Sequence, residues 1–324
     1  MRQLSLAALF GGQAQGLEQP PDGCLPVFDL FCGGGGFSCG AEAAGCKVVW
    51  ACDMDEDALE THRRNHPATV HCSRALPHDH IPFPTDGSAF HLHGSPPCQL
   101  FSSASQRMRR QGDRAQSEAL VEWFLRLALR CGATSWTMEE VNSPHVLSIV
   151  ERVRKAHPTR VAYHEFRFEE LGVPQTRHRL IAGSPELIAK LLRARRSEPQ
   201  RSIQNFITKP RGTHIRSHTY SVSRTKKRGA VDTGGAKYAY KVAKLGDHCK
   251  PTTGLSPTIL AGIPMLWVTK SEGKAHTRLS LNPRESALLQ TFPTNYWLPE
   301  NNRLALKHVG NAVPPKVATL LMSA

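Results

Sequence analysis

Residues 26–53 read PVFDLFCGGGGFSCGAEAAGCKVVWACD, and this stretch decides the fold. "PVFDLF" is a short apolar strand that runs into the glycines Gly33–Gly36. "SCGAEAAG" then predicts a helix closed by Gly45, since glycine takes the left-handed conformation past a last turn at no steric cost. "CKVVWACD" is a second buried strand with Asp53 at its tip, and "EDALETHRRNHP" a second helix stopped by Pro67. Strand, glycine turn, helix, strand and acid in that order make a βαβ unit, the start of a parallel sheet.

The same stretch holds the first functional signal. Asp29 stands at a strand end before four glycines, where a backbone can approach a ligand closely. Asp53, at the second strand's tip, can accept hydrogen bonds from ribose hydroxyls. Together these signal an adenosine-containing cofactor. NAD fits that description, but the glycines are not spaced G-x-G-x-x-G, and the acid before them suits an amino group better than a pyrophosphate.

Downstream, residues 70–93 are loop-rich and end in the strand "AFHLHG". An amphipathic helix is predicted over Ser117–Arg130, followed by the strand "SWTMEEV", a helix near Val146–Ala156, the strands "VAYHEFRF" and "HRLIAGS", and the helix "PELIAKLLRARR". Between about Arg193 and Thr277 helical periods vanish and Lys, Arg, Thr, Ser, His and Gly dominate, which predicts a small, irregular, basic domain of short strands. "LNPRESALLQTF" restores a helix, with Asn282 as N-cap and Pro283 at its first position. A loop and last helix follow in "HVGNAVPPKVATLLMSA". The expected organisation is a tail over 1–24, a cofactor-binding domain over 25–190, an inserted domain over 191–277 and a return segment over 278–324.

Charge points to the partner. The 324 residues carry 41 Lys and Arg against 27 Asp and Glu, a net +14 that favours a polyanion such as nucleic acid over a neutral ligand. Its bland reading is a merely basic soluble protein. Nine cysteines form no C-x-x-C pair, so a metal site is not expected and reduced, intracellular thiols are. No apolar run approaches the ~20 residues of a membrane span. The apolar run Leu4–Phe10 is short and broken by serine, which is thin for a secretion signal. "QLSLAALF" also resembles the peptides that dock polymerase sliding clamps, through Gln3, Leu6 and Phe10; the alternative is a frayed tail before Pro20 and Pro21.

A second constellation is more specific. "PPCQ" (96–99), "MEEVN" (138–142) and "QTRHR" (175–179) are each tied to a predicted strand, and strand ends of a parallel sheet share one ligand-binding edge. Cys98, Glu139, Arg177 and Arg179 are therefore expected to converge beside the cofactor. Singly, each has a bland reading: an inert thiol, a solvated carboxylate, surface charge.

With these residues in view, the chain resembles the C5-cytosine-specific DNA methyltransferases. "FDLFCGGGGF", "PPCQ", "MEEV", "QTRHR", "NPRESALLQTFP" and "VGNAVPP" stand in that family's order across residues 28–315. The resemblance implies an α/β, Rossmann-like class I methyltransferase with a mostly parallel sheet, and a small β-rich target-recognition domain in the basic segment. It implies S-adenosylmethionine as cofactor, held by Asp29, Phe31, Gly33, Gly35, Asp53, Met54, Pro97 and Asn311. Cys98 would attack C6 of a flipped cytosine, Glu139 would protonate or hold N3, and Arg177 and Arg179 would line the pocket. DNA contacts are implied at Gln99, Ser102, Arg107 and Thr258, with phosphate contacts from Lys226, Lys227 and Arg228. Arg284 and Glu285 would support the recognition domain rather than react.

The chain also departs from the family. The motif usually written Glu-Asn-Val is Glu139-Glu140-Val141, so an acid replaces an asparagine that supports the cysteine loop. A carboxylate there is expected to raise the pKa of Glu139. Ser73 and Arg74 occupy the region where an acid for the adenine amino group is usual. The implied protein is a monomer acting on double-stranded DNA. The alternatives are a tRNA cytosine methyltransferase on the same scaffold and an inactive DNA-binding homologue.

Overall fold

The computed structural model describes residues 24–77, 81–97, 111–207, 211, 213–214, 238–241, 250–251, 253–263, 266–269 and 277–323. Strand β1 (Val27–Leu30) leads through the glycine turn into helix α1 (Gly36–Ala43), and β2 (Val48–Asp53) into α2 (Glu56–Asn65). Gly45 follows α1 at φ 88°, and the Asp55 carboxylate caps α2 by accepting from the Ala58 N–H. Next come β3 (Val70–Ser73), β4 (His91–Gly94), α3 (Gln111–Arg130), β5 (Ser135–Val141), α4 (Pro144–Ala156) and β6 (Ala162–Arg167). The two-residue β7 (Gln175–Thr176) precedes β8 (His178–Gly183) and α5 (Pro185–Ala194).

These strands form a seven-stranded sheet in the order β3-β2-β1-β4-β5-β8-β6. Every pair is parallel except those of β8, which runs against both β5 and β6. The mostly parallel Rossmann-like reading holds, with one reversal that the residue pattern does not announce. The reversal matters, because it brings the start of β8 to the edge where β5 and β6 end: Val141 pairs with Arg179, and Phe166 does too.

Side-chain alternation sorts the core into two layers. Phe28, Leu30, Leu92, Trp136, Met138, Leu180 and Ala182 face α3 and α4, packing on Phe124, Leu125, Val146 and Val150. Val27, Val48 and Ile181 face the other way, toward Phe37 and Ala41 of α1, Leu191 of α5 and the last helix. That helix, with two others, comes from the far end of the chain.

Short strands fill the basic segment: β9 (Thr213–His214), β10 (Tyr238–Lys241), β11 (Lys250–Pro251), β12 (Ser256–Pro257), β13 (Leu266–Thr269) and β14 (Thr277–Ser280). Five of them form an antiparallel sheet, β11-β10-β13-β14-β9, while β12 pairs with β7 instead. The chain then enters α6 (Pro283–Leu289), α7 (Asn302–Asn311) and α8 (Pro315–Met322). Asn282 and Glu285 cap α6 reciprocally, as the Asn-Pro-x-Glu spelling predicts. A separate cluster (Ile203, Ile259, Leu289, Phe292, Val309) packs α6 and α7 against the segment that returns from the basic insert.

Candidate active site

Phe31, the first residue past β1, adopts φ 56°. That conformation costs a residue with a Cβ about 1–2 kcal/mol and turns the chain sharply out of the sheet. The Phe31 ring meets Trp123 of α3 edge-on at 6.2 Å. Gly35 then begins α1 at φ 87°, where a side chain would strike the Tyr296 hydroxyl. The turn is pinned from the second strand: Asp53 accepts from the Gly33 N–H at 2.9 Å and from the Asp55 N–H at 2.9 Å. Burial raises the Asp53 pKa against those two bonds. Beside it, Met54 leaves 72% of its surface exposed, a large apolar side chain at the sheet edge.

Asp29 is buried under the turn. Its carboxylate accepts from Ser38 Oγ at 2.7 Å, and Ser38 Oγ lies 3.0 Å from His62 Nε2. His62 Nδ1 lies 2.8 Å from His71 Nε2 on β3. With the Ser38 hydroxyl given to Asp29, Nε2–H of His62 donates to Ser38 and Nδ1 accepts from His71, a one-directional chain. Burial pushes Asp29 up to about 7, His62 well below its usual value and His71 down to about 4. None of these three polar partners was expected from the sequence.

The raised Asp29 pKa sets a sign. The native state binds this proton more tightly than the unfolded chain, so stability falls as pH rises from about 4 to about 7 and is flat above. Asp29→Asn removes the effect. Relative to wild type, the variant is expected to gain on the order of 2–4 kcal/mol between pH 5 and pH 8. Thermal melts at the two pH values check this; a gap that does not widen with pH refutes it.

At the other half of the edge, Glu139 of β5 is 6% exposed, and Arg179 of β8 places Nε 3.0 Å from its Oε1. The pair is ionic and lacks hydrogen-bond alignment, so Oε1 is still open to a better-placed donor. Glu140 points to the opposite face. Its Oε2 accepts from the Val141 N–H at 2.7 Å, and Oε1 is buried without a partner. Burial, reinforced by the charge of Glu139, lifts Glu140 well above the carboxylate range. As a neutral acid it offers one donor and one acceptor, as an asparagine amide does.

Arg177 does not line this edge. Its guanidinium is 1% exposed and donates to the carbonyls of Ile259, Gly310 and Ala312. The expectation that both arginines border the pocket therefore needs correction. A strand alternates its faces, but the connection from β7 to β8 sends Arg177 toward α7 and only Arg179 to Glu139. Thr258, too, is engaged within the chain, donating to the Thr176 carbonyl. Glu285 receives the Arg211 N–H, and Arg284 donates to the Tyr296 carbonyl at 2.5 Å, so both serve packing around the insert. Pro97 lies partly buried just past β4, and Asn311 is exposed at the end of α7. The α7 end reaches the glycine turn: a Cβ on Gly36 would lie 2.3 Å from the Val313 carbonyl oxygen. Cys98, Gln99, Ser102, Arg107, Lys226, Lys227, Arg228 and the clamp-like Gln3, Leu6 and Phe10 lie outside the described residues.

The family model for C-5 cytosine-specific DNA methylases matches residues 25–324. The chain belongs to that family. It is 26% identical to the type II methyltransferase M.HgiDI of Herpetosiphon aurantiacus, over 92% of this chain and 93% of that one. It is 24% identical to the type II methyltransferase M1.HphI of Haemophilus parahaemolyticus, over 93% and 86%. Among solved structures, the S. pombe Dnmt2 methyltransferase shares the fold with a TM-score of 0.57 at 16% identity, covering 92% of this chain and 97% of that one.

A methylase needs a methyl donor, and the turn fits a nucleoside-bearing one. A Cβ built on Gly33 would meet nothing within 4 Å, so the outer face of the turn is open. Around it stand the buried Asp29, the half-buried Asp53 and the apolar side chains Phe31 and Met54. Among the described residues no cluster of His, Cys, Asp or Glu could hold a metal ion, and no helix is long and apolar enough to cross a membrane.

Proposed function

We propose that this methylase transfers a methyl group from S-adenosylmethionine to C5 of a flipped cytosine in duplex DNA, through a covalent bond between the Cys98 sulfur and C6. The observation that carries this reading is the buried Glu139–Arg179 pair at the same sheet edge as the glycine turn, the edge at which β4 ends at Gly94, shortly before Cys98 in the sequence. S-adenosylmethionine, when bound, supplies an electrophilic methyl on a sulfonium. Phe31 and Met54 would pack on its adenine and Asp53 would take the ribose. Gly33 and Gly35, with Asp29 beneath, would wrap the methionine part, and Pro97 and Asn311 would close the pocket.

Cytosine C5 is a weak nucleophile, so the ring must first be loaded with electrons. The Cys98 thiolate adds its electron pair to C6. Glu139, which must take up a proton as the base enters, gives it to N3 and so neutralises the charge that addition places there. The Arg179 guanidinium donates to the O2 carbonyl and holds the ring plane. C5 then takes the methyl as the methyl–sulfur bond breaks, the C5 proton passes to a water molecule, the electron pair it leaves expels the thiolate, and N3 returns its proton to Glu139. None of this fits inside a stacked duplex, so the base must leave it.

The insert over 191–277 would serve as the target-recognition domain, with Lys226, Lys227 and Arg228 on phosphates and Gln99, Ser102, Arg107 and Thr258 near the DNA. Likeness to two type II methyltransferases supports site-specific modification of the kind that accompanies restriction. The test is trapping on 5-fluorocytosine, whose C5 cannot lose a proton. Duplexes with that base in varied contexts, plus tritiated donor, are expected to give a denaturation-resistant adduct mapping to Cys98. An adduct on tRNA alone would move the substrate class, and no adduct on either would refute the mechanism.

A further inference from the structure

Three buried side chains beside the active site have no part in the transfer chemistry: Gln175, Arg177 and Gln290. They form one junction. Gln175 accepts from the Ile259 N–H at 3.2 Å and donates to Gln290 Oε1 at 2.7 Å and the Leu289 carbonyl at 3.0 Å. Gln290 donates to the carbonyls of Val309 at 2.7 Å and Ala312 at 3.4 Å. Arg177 spans the whole junction, from Ile259 at 3.4 Å to Gly310 at 3.2 Å and Ala312 at 3.1 Å.

The carbonyls it holds are those on either side of Asn311. Gln290 holds the Val309 and Ala312 carbonyls of the same helix end, which sits so close to the chain beyond β12 that a Cβ on Gly310 would lie 2.4 Å from the Ala261 nitrogen. One cation thus fixes the Asn311 backbone against Ile259, just past the strand that pairs Ser256 with Gln175. A guanidinium suits the task, since its rigid fork serves several carbonyls in one plane.

We infer that Arg177 is a positioning residue for the cofactor pocket: it touches neither base nor cofactor, and sets donor affinity by fixing Asn311. This rests on the reading of Asn311 as a pocket residue given above. Its effect therefore falls on donor binding and not on the methyl-transfer step, unlike that of Arg179.

The test is a double-mutant cycle read by calorimetry with S-adenosylhomocysteine on the full chain. Arg177→Met is expected to weaken binding at least tenfold, with kcat at saturating donor within threefold of wild type. Asn311→Ala is expected to weaken binding similarly, and the double variant no further than the weaker single one, since both losses act through one side chain. Arg177→Lys, which keeps the charge but only one donor centre, is run in parallel in case Arg177→Met does not fold; an intermediate loss is expected. Additive losses, or a fall in kcat with unchanged binding, would overturn the inference and return Arg177 to the base. Failure of the wild type itself to bind S-adenosylhomocysteine would sink the functional reading as well.

Discussion

Glu139→Gln is expected to lower the turnover of duplex methylation by about 10³-fold, the middle of the range for a lost general acid. The amide keeps the volume of the side chain and an oxygen for Arg179, so the 3.0 Å contact need not collapse. What it cannot do is hand a proton to N3. The loss therefore appears in kcat and in the rate of adduct formation on 5-fluorocytosine, with duplex affinity within a few fold. Single-turnover kinetics with tritiated donor separate these, and a variant with wild-type adduct rates would remove Glu139 from the chemistry. Arg179→Ala is a poor substitute for this test, because it leaves a buried carboxylate unpaired and costs stability as well as rate.

The largest effect on stability belongs to a glycine far from the chemistry. Helix α1 lies so close to α8 that a Cβ on Gly40 would fall 2.1 Å from the Pro315 carbonyl oxygen and 2.6 Å from the Ala318 Cβ. Neither obstacle is a flexible tip; one is backbone and the other is packed. Gly40→Ala must push the two helices apart, and with them Phe37, Ala41, Val317 and Leu321 in the shared core. The expected cost is about 3 kcal/mol, at the upper end for overpacking. For a chain of this size that lowers the melting temperature by about 4–5 °C. Differential scanning calorimetry reads it, and an unchanged melting temperature would mean that the contact is looser than described.

Much of this architecture was legible in local spelling. Gly45 after α1 and the Asn282-Pro283 start of α6 are chemical signals that act within four residues, and each forms the predicted cap or stop. The meeting of Glu139 with the QTRHR segment was legible for another reason, since parallel strands deliver their ends to one edge. What sequence could not carry was direction and distance. "HRLIAGS" reads as a buried strand in either orientation, and only the short connection through β7 reverses it. The start of α3 at Gln111 instead of Ser117 escaped because its first turns carry no large apolar residue. The destination of Arg177 depends on carbonyls 82 to 135 positions away, which no local pattern encodes. The Asp29–Ser38–His62–His71 chain was hidden likewise, in partners from three separate elements.

The packing of α8 on α1 also fixes when the pocket can come into being during synthesis. The glycine turn is made long before Val313, Tyr296 and Ala318, which cover it and its helix; Tyr296 follows Gly34 by 262 positions. Until they emerge from the ribosome, Asp29 and its histidine chain stand under an unfinished roof, and the insert over 191–277 must wait beside it. On the function proposed above, donor binding is gained only once these residues have been made, so that a nascent chain holding the 191–277 insert but not α7 and α8 has no pocket from which to transfer a methyl group.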